Sequence, residues 1–321
     1  MKIPFSVSVY EHAARIIGRS PWEVSREAEL MLRAHREAYL LYGHFPVVVG
    51  IDIYNLEAEA YGCSVVRPQG DGIPAITQPL FDSLDGAQRL RPFEPSRAGR
   101  LPMVMEVGRM LVREFPEAEV RVPLSGPFSV AVGLVGLEAL LAGVATRPGL
   151  VRDLLARLIP GQVGFARAAV AAGLEVAFFE SAAAPPLLGP GQFREVELPA
   201  LKATMEQVAD AIGHPVPCII GGDTEPIVDH IMATGTNFVI CPAETNREKF
   251  LKRMEAYPKV KVRVNLSPRL YTTGTRRQIL AEVDRVIALA AGRPNLLLGT
   301  GAVPYETPPE NILLIKEYVS R

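Results

Sequence analysis

The feature that most constrains this chain is a regular alternation of short, β-branched apolar runs with longer stretches of helical period. Residues 46–53 form the first clear run, and its Val47-Val48-Val49-Gly50-Ile51 is apolar without interruption, as expected of a strand covered on both faces of a parallel sheet. Further runs follow at 120–124, 176–179, 216–220, 238–241, 260–266 and 295–298, with helix-period segments at 149–173, 194–213, 226–234, 246–256 and 275–291. Strand, helix, strand at this rhythm over most of 321 residues predicts a parallel α/β fold, and about 250 residues is typical of a closed eight-stranded barrel. A (β/α)8 (TIM) barrel is favoured over an open doubly wound sheet, because no G-x-G-x-x-G follows the first run and no G-x-x-x-x-G-K-[ST] occurs anywhere. Ahead of it, residues 1–45 read as a helical segment: Ser20-Pro21-Trp22-Glu23 offers a capping box with proline at the first helical position, and an apolar period runs on to Tyr42. One domain is expected over 1–321, helical in 1–45 and barrel in 46–321.

Composition narrows the partners. With 34 Lys and Arg against 35 Asp and Glu, the net charge is −1, and nothing favours phosphate backbones, so a nucleic-acid partner is not expected. The three cysteines, Cys63, Cys218 and Cys241, match no zinc-knuckle or disulfide spacing, which points to a reducing, cytoplasmic compartment. The N-terminal MKIPFSVSVYEHAARI meets charge before it builds an apolar core, so no secretory signal is expected. Residues 124–145 carry Glu138 as their only charge, yet Ser125-Gly126-Pro127, Gly133 and Gly136 interrupt them; a buried strand, a turn and a buried helix fit better than a membrane span.

Two Pro- and Gly-rich excursions interrupt the alternation, at 67–100 and 182–192, and the first is expected to form a wall or lid on the barrel rim. Barrel chemistry sits at the carboxyl ends of strands. The polar residues there are Asp52, Ser125, Glu180, Gly222-Asp223-Thr224, Cys241 with Glu244, Asn265 and Thr300, a ring of acids and amides without histidine. Asp52, inside an apolar run, is either a partly desolvated functional carboxylate or one held by neighbouring backbone. Tyr54 and Glu57 follow it; for Glu57 a capping role competes with substrate binding. Gly221-Gly222 lets a ligand approach the backbone, while Asp223 or Thr224 caps the helix that follows. Cys218 and Cys241 sit in apolar surroundings, where a free cysteine is usually a small buried hydrophobe.

Four segments, VVVGIDIYNLEAEAYGC, SGPFSVAVGLVGLEALL, IIGGDTEPIVDHIMATG and LLLGTGAVPYETPPENI, together resemble the uroporphyrinogen decarboxylase superfamily. The resemblance runs from about residue 10 to the C-terminus and is nearest the branch of corrinoid-dependent methyltransferases acting on methanol-, methylamine- or methoxyl-derived methyl groups. It implies a (β/α)8 barrel with its site at the carboxyl face. Of the decarboxylase signatures, only the aspartate after the first strand is matched, by Asp52. The Arg-rich N-terminal motif is missing, Gly133 stands for the tyrosine, and Thr300 stands for the late histidine. The thiol-methylating branch holds zinc through a His-x-Cys and a later Cys, and here those positions are Ile219, Gly221 and Thr300, so no metal ligand is expected and zinc is unlikely.

The resulting expectation is an enzyme moving a methyl group between a corrinoid and a non-thiol carrier such as tetrahydrofolate, or a small methylated substrate. Asp52, Asp223 and Asn265 would orient and hydrogen-bond the reactants. Tyr54, Glu57, Ser125, Glu180, Gly221, Gly222, Thr224, Cys241 and Thr300 would line the substrate. A corrinoid protein is the candidate partner, no tightly bound cofactor is expected, and the chain could form a homodimer away from membranes. The alternatives are a decarboxylase-like lyase acting on a tetrapyrrole or other heterocyclic carboxylate, and a ligand-binding barrel without catalysis.

Overall fold

The computed structural model describes residues 3–321. Eight parallel strands build the barrel: β1 (Phe5–Ser8), β2 (Val47–Val48), β3 (Val120–Ser125), β4 (Glu175–Glu180), β5 (Cys218–Ile220), β6 (Phe238–Cys241), β7 (Lys261–Leu266) and β8 (Leu296–Ala302). They form two four-stranded parallel half-barrels, in the orders β1-β8-β7-β6 and β2-β3-β4-β5. At one seam β5 lies beside β6, where the Thr236 hydroxyl donates to the Val216 carbonyl at 2.8 Å. At the other, the Ser6 hydroxyl donates to the Phe45 carbonyl at 2.6 Å. The predicted (β/α)8 architecture is therefore the observed one.

The N-terminal segment differs in one respect from its helical expectation. Helices Pro21–Arg26 and Ala28–Tyr42 are present, the first with the Ser20–Glu23 capping box and Pro21 at its start. Before them, however, Phe5–Ser8 is a barrel strand that pairs with the last one, Phe5 opposite Leu298 and Ser6 opposite Gly299. The barrel thus begins at residue 5 and not at residue 46, and the helices from His12 to Tyr42 are the crossover between its first two strands. The chain ends lock together: the Ser8 amide donates to the Thr300 hydroxyl at 2.9 Å, and Val303 N donates to Ser8 O at 3.0 Å.

The apolar core divides as a barrel requires. Inside the ring, Val48, Ala177, Phe179, Ile219 and Ile240 pack with Tyr10 and Ile53. Outside it, the opposite strand faces pack on the surrounding helices, with Val122, Leu124, Phe178, Val262 and Val264 fully buried. Residues 124–145 end β3 and continue as helices Pro127–Val135 and Leu137–Thr146, bent by 113° at Gly136. Among the described residues no single helix is long and apolar enough to cross a membrane.

Thr300 occupies this closure. Replacing it isosterically, Thr300→Val, leaves the buried Ser8 amide without its acceptor, which costs about 1–3 kcal/mol. Urea unfolding is expected to show a lower midpoint at unchanged slope. An unchanged midpoint would mean that the strand ends are not held by this bond.

Candidate functional site

A cavity of about 380 Å³ opens at the carboxyl ends of the strands. Seven of the eight strand ends contribute to its wall: Ser8 and Tyr10-Glu11 after β1, Ile51 to Asn55 after β2, Phe179 from β4, Ile219 and Gly221-Gly222 at β5, Ile240 and Pro242 to Glu244 at β6, Arg263 and Asn265 from β7, and Gly301-Ala302 from β8. Only β3 is absent. Ile73 and Pro74, from the excursion at 67–100, complete the wall, and Asn55 Nδ2 donates to the Pro74 carbonyl at 2.6 Å.

Asp52 is bound more tightly than an isolated buried acid. Its two carboxylate oxygens each accept from an Nη of Arg100 at 2.7 Å, and Asn55 Nδ2 donates to Oδ2 at 3.0 Å. Arg100 closes the 67–100 excursion; its Nε donates to Glu59 at 2.5 Å, and Nη1 also donates to the Ser25 carbonyl at 3.1 Å. Glu59 in turn accepts from Arg26 at 2.6 Å, and Arg26 stacks on the Trp22 ring. Burial opposes the Arg100 charge, but the hydrogen bonds and charges of Asp52 and Glu59 outweigh it and raise its pKa. Asp52 therefore lines the cavity as one half of a buried, bidentate ion pair.

The other predicted residues separate into two sets. Asn265, Tyr54, Gly221 and Gly222 line the cavity with Asp52. Glu57, Ser125, Glu180, Thr224, Cys241, Thr300 and Asp223 do not; Glu57, Glu180 and Thr300 hold backbone amides around it, and the buried Thr224 hydroxyl has no partner among the described residues. Glu57 accepts from the Ser125 amide and from Gln162 Nε2 (3.2 Å), and Gln162 also donates to the Ser125 carbonyl at 2.5 Å. Glu180 accepts from the Ser129 hydroxyl and amide and from the amides of Ala182 and Ala183 (2.7 and 3.1 Å), pinning the start of the 182–192 excursion. Asp223 accepts from the Thr245 hydroxyl at 2.7 Å, and that hydroxyl accepts from the Glu225 amide at 2.8 Å; Thr245, not the Asp223 or Thr224 side chain, caps this turn. Cys241 is fully buried, and burial pushes its thiol up to about 12, which makes it inert. Gly222 has φ +84°, and a Cβ there would meet the Pro185 carbonyl, so packing against the 182–192 excursion demands glycine. A Cβ at Gly221 would meet nothing within 4 Å, and the residue lines the cavity.

Three titratable wall residues were not singled out by the sequence. Tyr10 and Glu11 follow a strand that lay hidden in the helical reading of 1–45; burial, and secondarily the charge of Glu306, raises the Glu11 carboxyl to about 7. Arg263 sits in Lys261-Val262-Arg263-Val264-Asn265-Leu266, where the pleat turns Arg263 and Asn265 to the same inner face. Its Nε donates to Asn265 Oδ1 at 3.0 Å.

The positions matched to zinc ligands do not fit the metal. Ile219 presents an apolar side chain, Gly221 none, and the buried Thr300 hydroxyl is taken by the Ser8 amide. Among the described residues no three His, Cys, Asp or Glu side chains gather elsewhere to hold a metal ion.

Two measurements check these assignments. Asp52→Asn removes one partner of a buried pair, which costs about 3–5 kcal/mol of stability; a loss below 1 kcal/mol in urea unfolding would contradict the ion-pair role. The Glu57 carboxyl is raised by burial to about 7, against about 4.3 in an unfolded chain. A raised acid binds its proton more tightly when folded, so its contribution is full below about pH 4.3 and is lost as pH rises through 7. Relative to wild type, Glu57→Gln is therefore expected to gain stability as pH rises from about 4.3 to 7 and to level off above it; a pH-independent difference would contradict the shift.

Comparison with known proteins agrees with this architecture. The model of the uroporphyrinogen decarboxylase (URO-D) family matches residues 2–321. The chain is 26% identical over 263 residues, 79% of its length and 73% of the relative's, to the methylcobamide:CoM methyltransferase MtaA of Methanosarcina barkeri. The structure of a methyltransferase from Methanosarcina mazei superposes with a TM-score of 0.82 at 23% identity, covering 99% of this chain and 94% of that one. With the family model matched from one end to the other, the chain belongs to the uroporphyrinogen decarboxylase family.

Proposed function

We propose that this barrel is a methyltransferase that moves a methyl group between a corrinoid carried by a partner protein and a small acceptor seated in the barrel mouth, in a reducing, cytoplasmic setting. The likeness to the methylcobamide:CoM methyltransferase supports the reaction class. The observation that carries the reading over decarboxylation is the size and charge of the cavity. At about 380 Å³ it lies at the lower end of small-molecule pockets. A tetrapyrrole octacarboxylate would bring eight negative charges to a wall that also holds Glu11 and Glu244. Asp52, the one matched decarboxylase signature, has both carboxylate oxygens engaged by Arg100 and is not free to stabilise a protonated pyrrole.

Methyl transfer asks for alignment more than for a reactive side chain. The acceptor's lone pair forms the new bond to carbon while the bond from carbon to the corrinoid breaks and its electron pair leaves with the corrinoid, and water must be kept away from the line between them. Ile51, Ile53, Ile219, Ile240 and Phe179 provide apolar walls for that purpose. Asn265 and Tyr54 orient the acceptor by hydrogen bonds. An amine acceptor, such as the N5 nitrogen of a tetrahydrofolate-like carrier, already has its lone pair and needs no metal-activated thiolate; a small methylated substrate fits the same walls. The proton released by such an acceptor needs a base, and Glu11, raised to about 7, is the wall carboxyl poised for it at neutral pH.

The test is loss of the methylcobalamin absorption band on mixing with enzyme and tetrahydrofolate, with 5-methyltetrahydrofolate as product. Transfer is expected with the free corrinoid and faster with a corrinoid protein; no binding and no transfer with any nitrogen acceptor would remove the reading. A tightly held ligand without turnover would favour a binding protein. Glu11→Gln is expected to lower the rate about 10²-fold and abolish the inflection near pH 7. Because Ile219, Gly221 and Thr300 provide no zinc-binding set, dialysis against a chelator is expected to leave the rate unchanged. Loss on dialysis with recovery on adding zinc would contradict this.

A further inference from the structure

Among the described residues the barrel interior holds one guanidinium without a carboxylate partner. Arg263 is 4% exposed, yet no carboxylate among the described residues pairs with it; the groups that act on its charge are Tyr10, Tyr271 and Arg121. Its Nε is occupied by Asn265, while the two Nη groups have no acceptor among the described residues. An arginine stays protonated, and a buried, unpaired guanidinium is costly. Every other deeply buried cation of the site is paired: Arg100 has Asp52 and Glu59. Arg121, partly buried, has Glu119. Arg263 alone reaches the cavity wall uncompensated.

Its position is also built. Gly299 lies beside Arg263 on the neighbouring strand, and a Cβ there would collide with the Cγ–Cδ stem, so the absence of a side chain lets the arginine lie flat across β8. Asn265 then fixes the plane of the guanidinium through Nε, which leaves the Nη edge for a two-oxygen partner. Ile240 pairs opposite Arg263 on the adjacent strand, and Ile219 and Phe179 line the same cavity.

We propose that Arg263 is an anion seat: the cavity takes a small ligand with an apolar body and one oxyanion head, a carboxylate or a sulfonate, bound by the two Nη groups. This rests on the proposed function only in taking the barrel mouth as the substrate site. It concerns binding and requires no turnover.

The test is calorimetric titration of the full chain with butyrate, propane-1-sulfonate and the uncharged butyramide, for wild type, Arg263→Gln, Arg263→Lys and Gly299→Ala, with thermal unfolding of each unliganded protein alongside. At least one acid is expected to bind wild type, with butyramide about 10- to 100-fold weaker, the range of a charge-assisted hydrogen bond. Arg263→Gln is expected to lose the preference for the acid, Arg263→Lys to keep part of it, and Gly299→Ala, which keeps the charge but displaces it, to weaken the acid at least tenfold. Removing an unpaired buried charge is expected to leave the unliganded melting temperature unchanged or raised. Which acid binds tighter distinguishes carboxylate from sulfonate. The proposal is overturned if neither acid binds wild type, if butyramide binds as well as butyrate, or if Arg263→Gln retains acid binding within threefold. A lowered melting temperature with unchanged acid binding would mark Arg263 as a structural group. Should Arg263→Gln not fold, Gly299→Ala and Arg263→Lys decide by the same criteria. Anion binding without methyl transfer would overturn the function alone, and methyl transfer with no dependence on Arg263 would overturn the seat alone.

Discussion

The cavity depends on a four-charge network, buried at Asp52 and Arg100 and half-buried at Glu59 and Arg26. Arg100 makes four hydrogen bonds, two to Asp52, one to Glu59 and one to the Ser25 carbonyl, and Arg26 completes the set on the other oxygen of Glu59. Two cations and two anions balance, so the desolvation of each ion, several kcal/mol, is offset by its partners. The consequence is architectural. The network ties the loop after β2 to the end of the 67–100 excursion and to the N-terminal helices, three parts of the chain that no strand pairing joins. With the excursion anchored at Arg100, Ile73 and Pro74 reach the mouth and narrow it.

Against that balanced network the unbalanced Arg263 gains its meaning. Arg100 is answered by Asp52 and Glu59, whereas no carboxylate among the described residues pairs with Arg263, which one acid on β1 or β8 at pairing distance would have neutralised. The acids of the wall, Glu11 and Glu244, form no ion pair with it. The cavity is thereby polarised, with a cation set between apolar walls and a proton-exchanging carboxyl at Glu11. That arrangement suits a small ligand held at one end and reacting at the other. It suits a large polyanion poorly.

Much of the fold was legible because parallel strands are apolar on both faces and announce themselves as uninterrupted runs, as in residues 47–51 and 260–266. Phe5–Ser8 escaped for the opposite reason: its serines break the run, a helix follows within four residues, and its partner lies some 290 residues away in β8. The site was less legible. Asp52 was visible as a charge in an apolar run, but its partner Arg100 sits in an aperiodic segment 48 residues on, where no pattern predicts a contact. Glu180 and Cys241 stand at strand ends as expected and yet point away from the mouth, because a period of two sends alternate residues outward, while Glu57 lies in the helix Leu56–Ala60 and turns to the Ser125 amide. Arg263 did carry a signal, two polar residues one pleat apart in a strand of valines, both necessarily on the inner face.

The most direct measurement is a crystal structure of the protein with propane-1-sulfonate or butyrate bound. The account predicts the oxyanion on the two Nη groups of Arg263, with the Asp52–Arg100 pair intact and the apolar end of the ligand directed toward Glu11 and the open mouth. An anion found instead on Arg100, with Asp52 released, or no anion in the barrel at all, would contradict it.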